Sequence, residues 1–189
     1  MNEEYRQKLL QIFPEIDWIQ NDAVKAGVIA SHAYVMKKSE WKLEDYDKMP
    51  FIKSFAGCPV SCLRHTRTVT RMCKMLADEY NCAYKNHGGY QLDLDVVLAS
   101  AALHDIGKFL EWEKRSDGTA VKTKQGKLLR HPVSGAIVAA MQGLPDEIVH
   151  AIFVHSTEGN TAKRSPEAML VYKVDEMNFD CIRAAMGVL

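Results

Sequence analysis

Several polar residues occupy positions where a buried helix face should be apolar. His65 lies four and seven residues before Val69 and Met72, so it shares their predicted helix face. Asp175 lies four residues before Phe179 within another apolar stripe. An unpaired polar group buried on such a face costs a few kcal/mol. These two side chains are therefore expected to have polar partners or a bound ligand.

Three further histidines and a second aspartate lie at the ends of predicted helices. His104, with Asp105 beside it, and His155 each follow an apolar helical stripe, and His131 immediately precedes Pro132. Each residue alone is more simply a hydrogen-bonded structural residue than a ligand. Four histidines and two aspartates directed inward in one small domain favour a common explanation, because divalent cations accept imidazole and carboxylate ligands together.

The most specific local signal is the run His104-Asp105-Ile106-Gly107-Lys108. In a chain with seven histidines, a His-Asp pair is expected by chance about 0.4 times. Requiring glycine and lysine at the positions of Gly107 and Lys108 lowers that expectation to about 0.002. Gly107 also predicts the end of a helix, because glycine favours the left-handed conformation found there.

The elements that must position these residues are predicted to be helices almost throughout, since apolar residues recur at helical spacing between Ser, Asp, Pro and Gly boundaries. A helical run from Ile16 to Met36 precedes a loop over residues 39–60. Residues 111–130 carry six basic and three acidic side chains, with turn signals at Asp117-Gly118 and Gln125-Gly126. That segment predicts a surface excursion with a short hairpin, attached to a single all-α domain.

Composition excludes several classes of protein. The 189 residues include 24 basic and 24 acidic side chains, which argues against a nucleic-acid coat or attachment to membranes by bulk charge. The most apolar run is far shorter than a membrane span, and the acidic N-terminus is unlike a signal peptide. Five cysteines without a Cys-x-x-Cys pair are typical of reduced thiols. A cytoplasmic protein is therefore expected.

These residues resemble the HD superfamily of metal-dependent phosphohydrolases over about residues 60–185. The resemblance is carried by Arg64-His65, Ala102 to Lys108, His131 to Gly135, His155-Ser156-Thr157 and Lys173-Val174-Asp175. It implies a compact helical bundle of the HD-domain type over residues 61–189. Residues 1–60 would form an N-terminal helical extension packed on that core.

The resemblance also implies a site for two divalent ions, with iron, manganese, cobalt, nickel, zinc and magnesium all compatible. The ligands of the first ion would be His65, His104, Asp105 and Asp175. His131 and His155 would hold the second ion, with Asp105 bridging both. Asp105 and Lys108 would be catalytic, and Lys108 and Arg130 would bind the substrate phosphate.

The implied reaction is hydrolysis of a phosphate ester or phosphoanhydride by metal-activated hydroxide. The sequence lacks the Gly-Tyr-Pro and His-His-Glu motifs of the cyclic di-GMP phosphodiesterases in this superfamily. It is closer to small stand-alone members, including a diadenosine tetraphosphate hydrolase group. A small phosphorylated substrate, a nucleotide, is therefore expected.

Two other functions are compatible with the same residues. The HD fold also supports di-iron oxygenases, and an intact site could serve a non-catalytic nucleotide-binding module. Homodimer formation is compatible with the sequence, whereas no feature indicates a nucleic-acid partner. The basic segment 111–130 lies between two motif segments and could form a lid, with Arg130 or Lys127 near the phosphate.

Overall fold

The computed structural model describes residues 3–49, 51, 58–115 and 120–188, and it is mostly helical. The helices are α1 (Glu3–Ile12), α2 (Asp22–Lys38), α3 (Cys62–Tyr84), α4 (Leu94–Leu103), α5 (Lys108–Glu111), α6 (His131–Met141), α7 (Asp146–Val154) and α8 (Pro166–Ala185). Short 3₁₀ turns cover Pro14–Trp18, Leu43–Asp45 and Thr157–Thr161. The all-α prediction is confirmed.

A short antiparallel hairpin interrupts the helices between α5 and α6. Its strands are β1 (Trp112–Lys114) and β2 (Ala120–Lys122), and Glu113 pairs with Val121. The predicted hairpin is therefore present, although the turn signal Asp117-Gly118 lies outside the described residues.

Side-chain caps fix where the principal helices begin. Ser61, Asp93 and Ser165 each accept hydrogen bonds from backbone N–H groups in the first turn of α3, α4 and α8. Asn21 caps α2 in the same way, so this helix begins at Asp22. The sequence predicted that this helix extends back to Ile16. That prediction was wrong, because Ile16 lies in a 3₁₀ turn that begins at a proline.

The largest apolar cluster joins the N-terminal elements to α4, α5 and α7, which lie beside the candidate ligands. Phe13 and Val28 pack in the same cluster as Leu103, Phe109 and Ile148. A second cluster joins α3, α4 and α8. The indole of Trp41 is buried, and its Nε1 donates to the carbonyl oxygen of Trp112 at 2.7 Å. The N-terminal helices therefore share a core with the later helices.

The turn between α4 and α5 is shaped by close packing rather than by left-handed backbone. Helix α4 ends at Leu103, and Gly107 has φ −64°, so the expected left-handed conformation is absent at this glycine. A Cβ atom at Gly107 would overlap the carbonyl oxygen of His131 and would lie 2.6 Å from Ser134 Oγ. Glycine is needed here because α6 packs directly against the turn.

Candidate metal centre

The six residues singled out as metal ligands come together in space from five helices and the turns that follow them. They are His65 in α3, His104 and Asp105 just after α4, His131 at the start of α6, His155 just after α7, and Asp175 within α8. They form two groups of three residues, and within each group the possible ligand atoms lie within 4.8 Å of one another.

The first group consists of His65, His104 and Asp175. His65 Nε2 lies 3.1 Å from His104 Nε2 and 3.0 Å from Asp175 Oδ1. His104 Nε2 lies 3.7 Å from the same carboxylate oxygen. The three ligand atoms therefore face a common point between α3, α4 and α8.

The second group consists of Asp105, His131 and His155. Asp105 Oδ1 lies 3.4 Å from His131 Nε2 and 3.9 Å from His155 Nε2. Its other oxygen, Oδ2, lies 3.7 Å from His65 Nε2 and 3.5 Å from His104 Nε2. One carboxylate oxygen of Asp105 therefore faces each group, as a bridging ligand requires.

Each of the four imidazoles is oriented through its Nδ1 atom. The acceptors are Asn178 Oδ1 for His65, the Ala101 carbonyl for His104, Glu111 Oε2 for His131 and the Ile152 carbonyl for His155, at 2.8, 2.7, 2.9 and 2.6 Å. Because each acceptor is an oxygen, the proton belongs on Nδ1 and the lone pair on Nε2 points into the site. This is the arrangement expected of metal-binding histidines.

An unpartnered nitrogen atom also indicates that the donor set suits divalent ions. His155 Nε2 is buried and has no hydrogen-bond partner among the described residues. A buried acceptor of this kind carries a desolvation penalty that a bound cation removes. Neutral imidazole and carboxylate ligands suit iron, manganese, cobalt, nickel or zinc, so the two groups are consistent with a dinuclear site.

The environment also favours the protonation states that bind metal. Burial, reinforced by His104 and His131, lowers the pKa of His155 to about 3. Burial likewise lowers the pKa of His65. For Asp105, burial acts to raise the pKa, but the neighbouring charges, that of Lys108 first, outweigh it and hold the pKa well below its usual range. At neutral pH these ligands do not have to lose a proton before a cation binds.

Lys108 lies against the bridging carboxylate. Its side chain is buried, and Nζ lies 2.6 Å from Asp105 Oδ2. Burial acts to lower the pKa of Lys108, but the charge of Asp105 outweighs it and raises the pKa. The ammonium group therefore remains charged beside Asp105.

Phe51 forms an aromatic wall beside the first group. Its ring stacks on His65 with centroids 3.5 Å apart and packs edge-on against Phe179 at 5.8 Å. Lys108 Nζ lies 4.4 Å from the centroid of the Phe51 ring. The segment before residue 60 therefore contributes a side chain to the site. The sequence gives no sign of this role, because Phe51 lies in no periodic pattern.

A cavity of about 160 Å³ opens over these residues. It is lined by Phe51, Asp105, Lys108, Arg130, His131, Ser156, Asp175, Glu176 and Phe179. Arg130 is held at the rim by Thr157 Oγ1 at 2.8 Å and Glu158 Oε1 at 2.7 Å. Lys127 is not among the lining residues, so the structure offers no support for placing it near a bound phosphate.

Two other residues were missed because they act behind the ligands. Asn178 lies three residues after Asp175, so helical spacing alone could have indicated its place on the same face. Glu111 had no such signal, since its contact with His131 depends on the path of the intervening hairpin. Burial acts to raise the pKa of Glu111, but hydrogen bonds from His131 and Lys122 outweigh it and lower the pKa to about 2.

A helical domain in which two His/Asp groups share one carboxylate defines a candidate dinuclear metalloprotein. The HD domain family matches residues 62–179, more than half of the chain, and the protein belongs to that family, whose superfamily comprises metal-dependent phosphohydrolases. The resemblance drawn from the motifs is thereby confirmed. No curated protein and no solved structure gives a significant match. No helix in the described part of the chain has the length and apolar character needed to cross a membrane.

Proposed function

We propose that this protein hydrolyses a phosphate ester or phosphoanhydride of a small phosphorylated substrate, a nucleotide, with the aid of two divalent ions. The observation that carries the proposal is the position of Asp105, which presents one oxygen to each group of ligands. A carboxylate shared in this way would hold two ions close together, as two-metal hydrolysis of phosphate requires.

The ligands set the charge of the centre. Two divalent ions and the two carboxylates of Asp105 and Asp175 together leave about two positive charges, which favours an anionic substrate. When bound, such ions lower the pKa of a coordinated water and stabilise negative charge on phosphoryl oxygens. The Nδ1 hydrogen bonds of the four imidazoles keep their Nε2 atoms oriented toward the centre.

Lys108 and Arg130 are proposed to bind the substrate phosphate from two positions on the cavity wall. Lys108 lies deep in the cavity beside Asp105, whereas Arg130 lies at its rim. A buried ammonium group interacts strongly with phosphate because little water screens it. The planar guanidinium of Arg130 suits two-point binding of a second phosphate or of an ester oxygen.

The size of the cavity supports binding of a terminal phosphoryl group. Sites that enclose a drug-sized ligand usually have volumes of about 300–1,000 Å³. The volume here is about 160 Å³, so the reacting phosphate would be enclosed while the remainder of the substrate extends past Arg130. The ring of Phe179 at the same opening offers an apolar surface to a nucleoside. These features support a nucleotide substrate.

The experiment combines metal analysis with a substrate panel. Protein purified without chelator is analysed for metal, then assayed for phosphate release from nucleoside mono-, di- and triphosphates and from dinucleoside polyphosphates. We expect two ions per chain in the wild type, and hydrolysis that proceeds equally with and without oxygen. His131→Ala should retain one ion or none, whereas His87→Ala, at an exposed site outside the cluster, should retain both.

Three outcomes would overturn the proposal. Turnover that requires oxygen, in protein containing iron, would instead identify an oxygenase. Nucleotide binding without turnover in the metal-loaded protein would identify a binding module. One ion per chain, unaffected by His131→Ala, would replace the two-ion centre with a one-ion centre.

A further inference from the structure

The segment between α5 and α6 is anchored directly behind the metal centre. Glu111, the last residue of α5, is buried, and its Oε2 atom accepts hydrogen bonds from both the backbone N–H and the Nδ1–H of His131, each at 2.9 Å. Its other oxygen, Oε1, lies 2.9 Å from Lys122 Nζ in β2. One carboxylate therefore connects the hairpin to a ligand of the second group.

The main chain of Glu111 is fixed as closely as its side chain. Its N–H donates to the carbonyl of Gly107, and its carbonyl accepts from Thr123 N–H at 3.0 Å. Gly126 packs so closely on Glu111 that a Cβ atom at position 126 would lie 2.8 Å from Glu111 Cα. Two segments, the turn at Gly107 and the stretch 123–126, thus fix the main chain that carries this carboxylate.

The acceptors behind the other three histidines are neutral. His65 donates to the amide oxygen of Asn178, and His104 and His155 donate to main-chain carbonyls. Among the four ligand histidines, only His131 has an anionic acceptor at its Nδ1 atom. A carboxylate acceptor makes the opposite ring nitrogen more basic and fixes the ring orientation, and loss of such a partner commonly weakens metal binding.

We propose that Glu111 is a positioning residue that sets the affinity of the second ion, the one bound by Asp105, His131 and His155. Lys122 holds Glu111 in place, so the hairpin supports the metal centre from behind rather than covering it as a lid. This inference rests on the two-ion centre of the proposed function. It predicts that Glu111 changes the affinity of the second ion and leaves that of the first ion almost unchanged.

The test is a Co²⁺ titration of metal-free protein, followed by calorimetry and by visible absorption. We expect two ions in the wild type. In Glu111→Gln, the dissociation constant of the second ion should rise about 10–100-fold while that of the first changes little. Asn178→Leu is the matched control, because it removes the acceptor that His65 Nδ1 uses. This variant should lose affinity for the first ion instead. Lys122→Met should show a smaller effect in the same direction as Glu111→Gln.

A measurement on the wild type guards against a variant that fails to fold. Nitrogen-detected NMR of labelled histidine should show His131 in the Nδ1–H form in the metal-free protein at neutral pH. Finding the Nε2–H form would overturn the inference, as would two ions of unchanged affinity in Glu111→Gln. One ion in the wild type would also overturn it, whereas two Co²⁺ ions bound without hydrolysis would count against the proposed function alone.

Discussion

Replacing Gly107 with alanine tests how closely the turn between α4 and α5 must pack against α6. A Cβ atom at Gly107 would lie 2.6 Å from Ser134 Oγ and 2.8 Å from Gly135 N, and it would overlap the His131 carbonyl oxygen. Ordinary carbon contacts begin at about 3.5 Å, so the first turn of α6 would have to move by roughly 1 Å. Overpacking of this kind lowers the free energy of unfolding by about 1–3 kcal/mol.

The same displacement should reach the metal centre, because His131 is the first residue of α6. His131 Nε2 lies 3.4 Å from Asp105 Oδ1, and ligand positions need to be held within about 0.5 Å for a site to function. Gly107→Ala should therefore lose affinity for the second ion as well as stability. The first group contains no residue from α6, so its affinity should change less.

The assay is urea unfolding of metal-free protein, combined with Co²⁺ titration. Gly135→Ala is the matched control, since the Cβ atom there would meet two isoleucine methyl groups at 3.2 and 3.3 Å, and these can shift. We expect a clearly smaller loss of stability in the control. Wild-type stability in Gly107→Ala, or equal losses in both variants, would refute the argument from close packing.

Three further predictions concern single side chains. His32 is buried without a hydrogen-bond partner among the described residues, and burial lowers its pKa to about 3. Since unfolding restores a pKa of about 6.5, the protein should lose about 2 kcal/mol of stability through this group as the pH falls from 7 to 5, and His32→Leu should abolish that part. Lys108→Met should lower kcat/KM for a phosphate substrate about 100-fold, with partial recovery in Lys108→Arg. Arg130→Met should raise KM about tenfold and change stability by less than about 1 kcal/mol, because its ion pair with Glu158 lies at the surface.

Each of these predictions has a result that contradicts it. The first is checked by urea unfolding at pH 7 and pH 5. If the free energy of unfolding falls equally in wild type and His32→Leu, His32 is not the acid-sensitive group. Unchanged kcat/KM in Lys108→Met would show that Lys108 does not bind the substrate phosphate. Its role would then be only to balance the charge of Asp105 in the metal-free protein. For Arg130, the control is Lys124→Met in the same basic segment but outside the cavity, and equal KM values in the two variants would remove Arg130 from the site.

The sequence indicated the helices and the residues with metal-binding chemistry for one physical reason. Polar side chains on apolar faces stand out against helical periodicity, and His65 and Asp175 were recognisable on this basis alone. Capping residues such as Ser61 and Ser165 marked helix starts through local chemistry that needs no tertiary information.

The features that could not be predicted depend on contacts between distant parts of the chain. Glu111 reaches His131 only because of the course of the hairpin, and Phe51 reaches His65 from a stretch without periodicity. Gly107 shows the same dependence on distant contacts. The glycine correctly indicated the end of α4, but the left-handed conformation predicted for it is absent. The need for glycine comes from the approach of α6, which local sequence does not reveal.

The wide separation of the ligands along the chain has a consequence for folding kinetics. His65 and its acceptor Asn178 are 113 positions apart, so the centre is complete only when α3 and α8 have docked. Contacts that close such long loops tend to form late, and interactions absent from the transition state slow unfolding without accelerating folding. Adding a divalent ion should therefore lengthen the lifetime of the folded chain and leave its refolding rate almost unchanged.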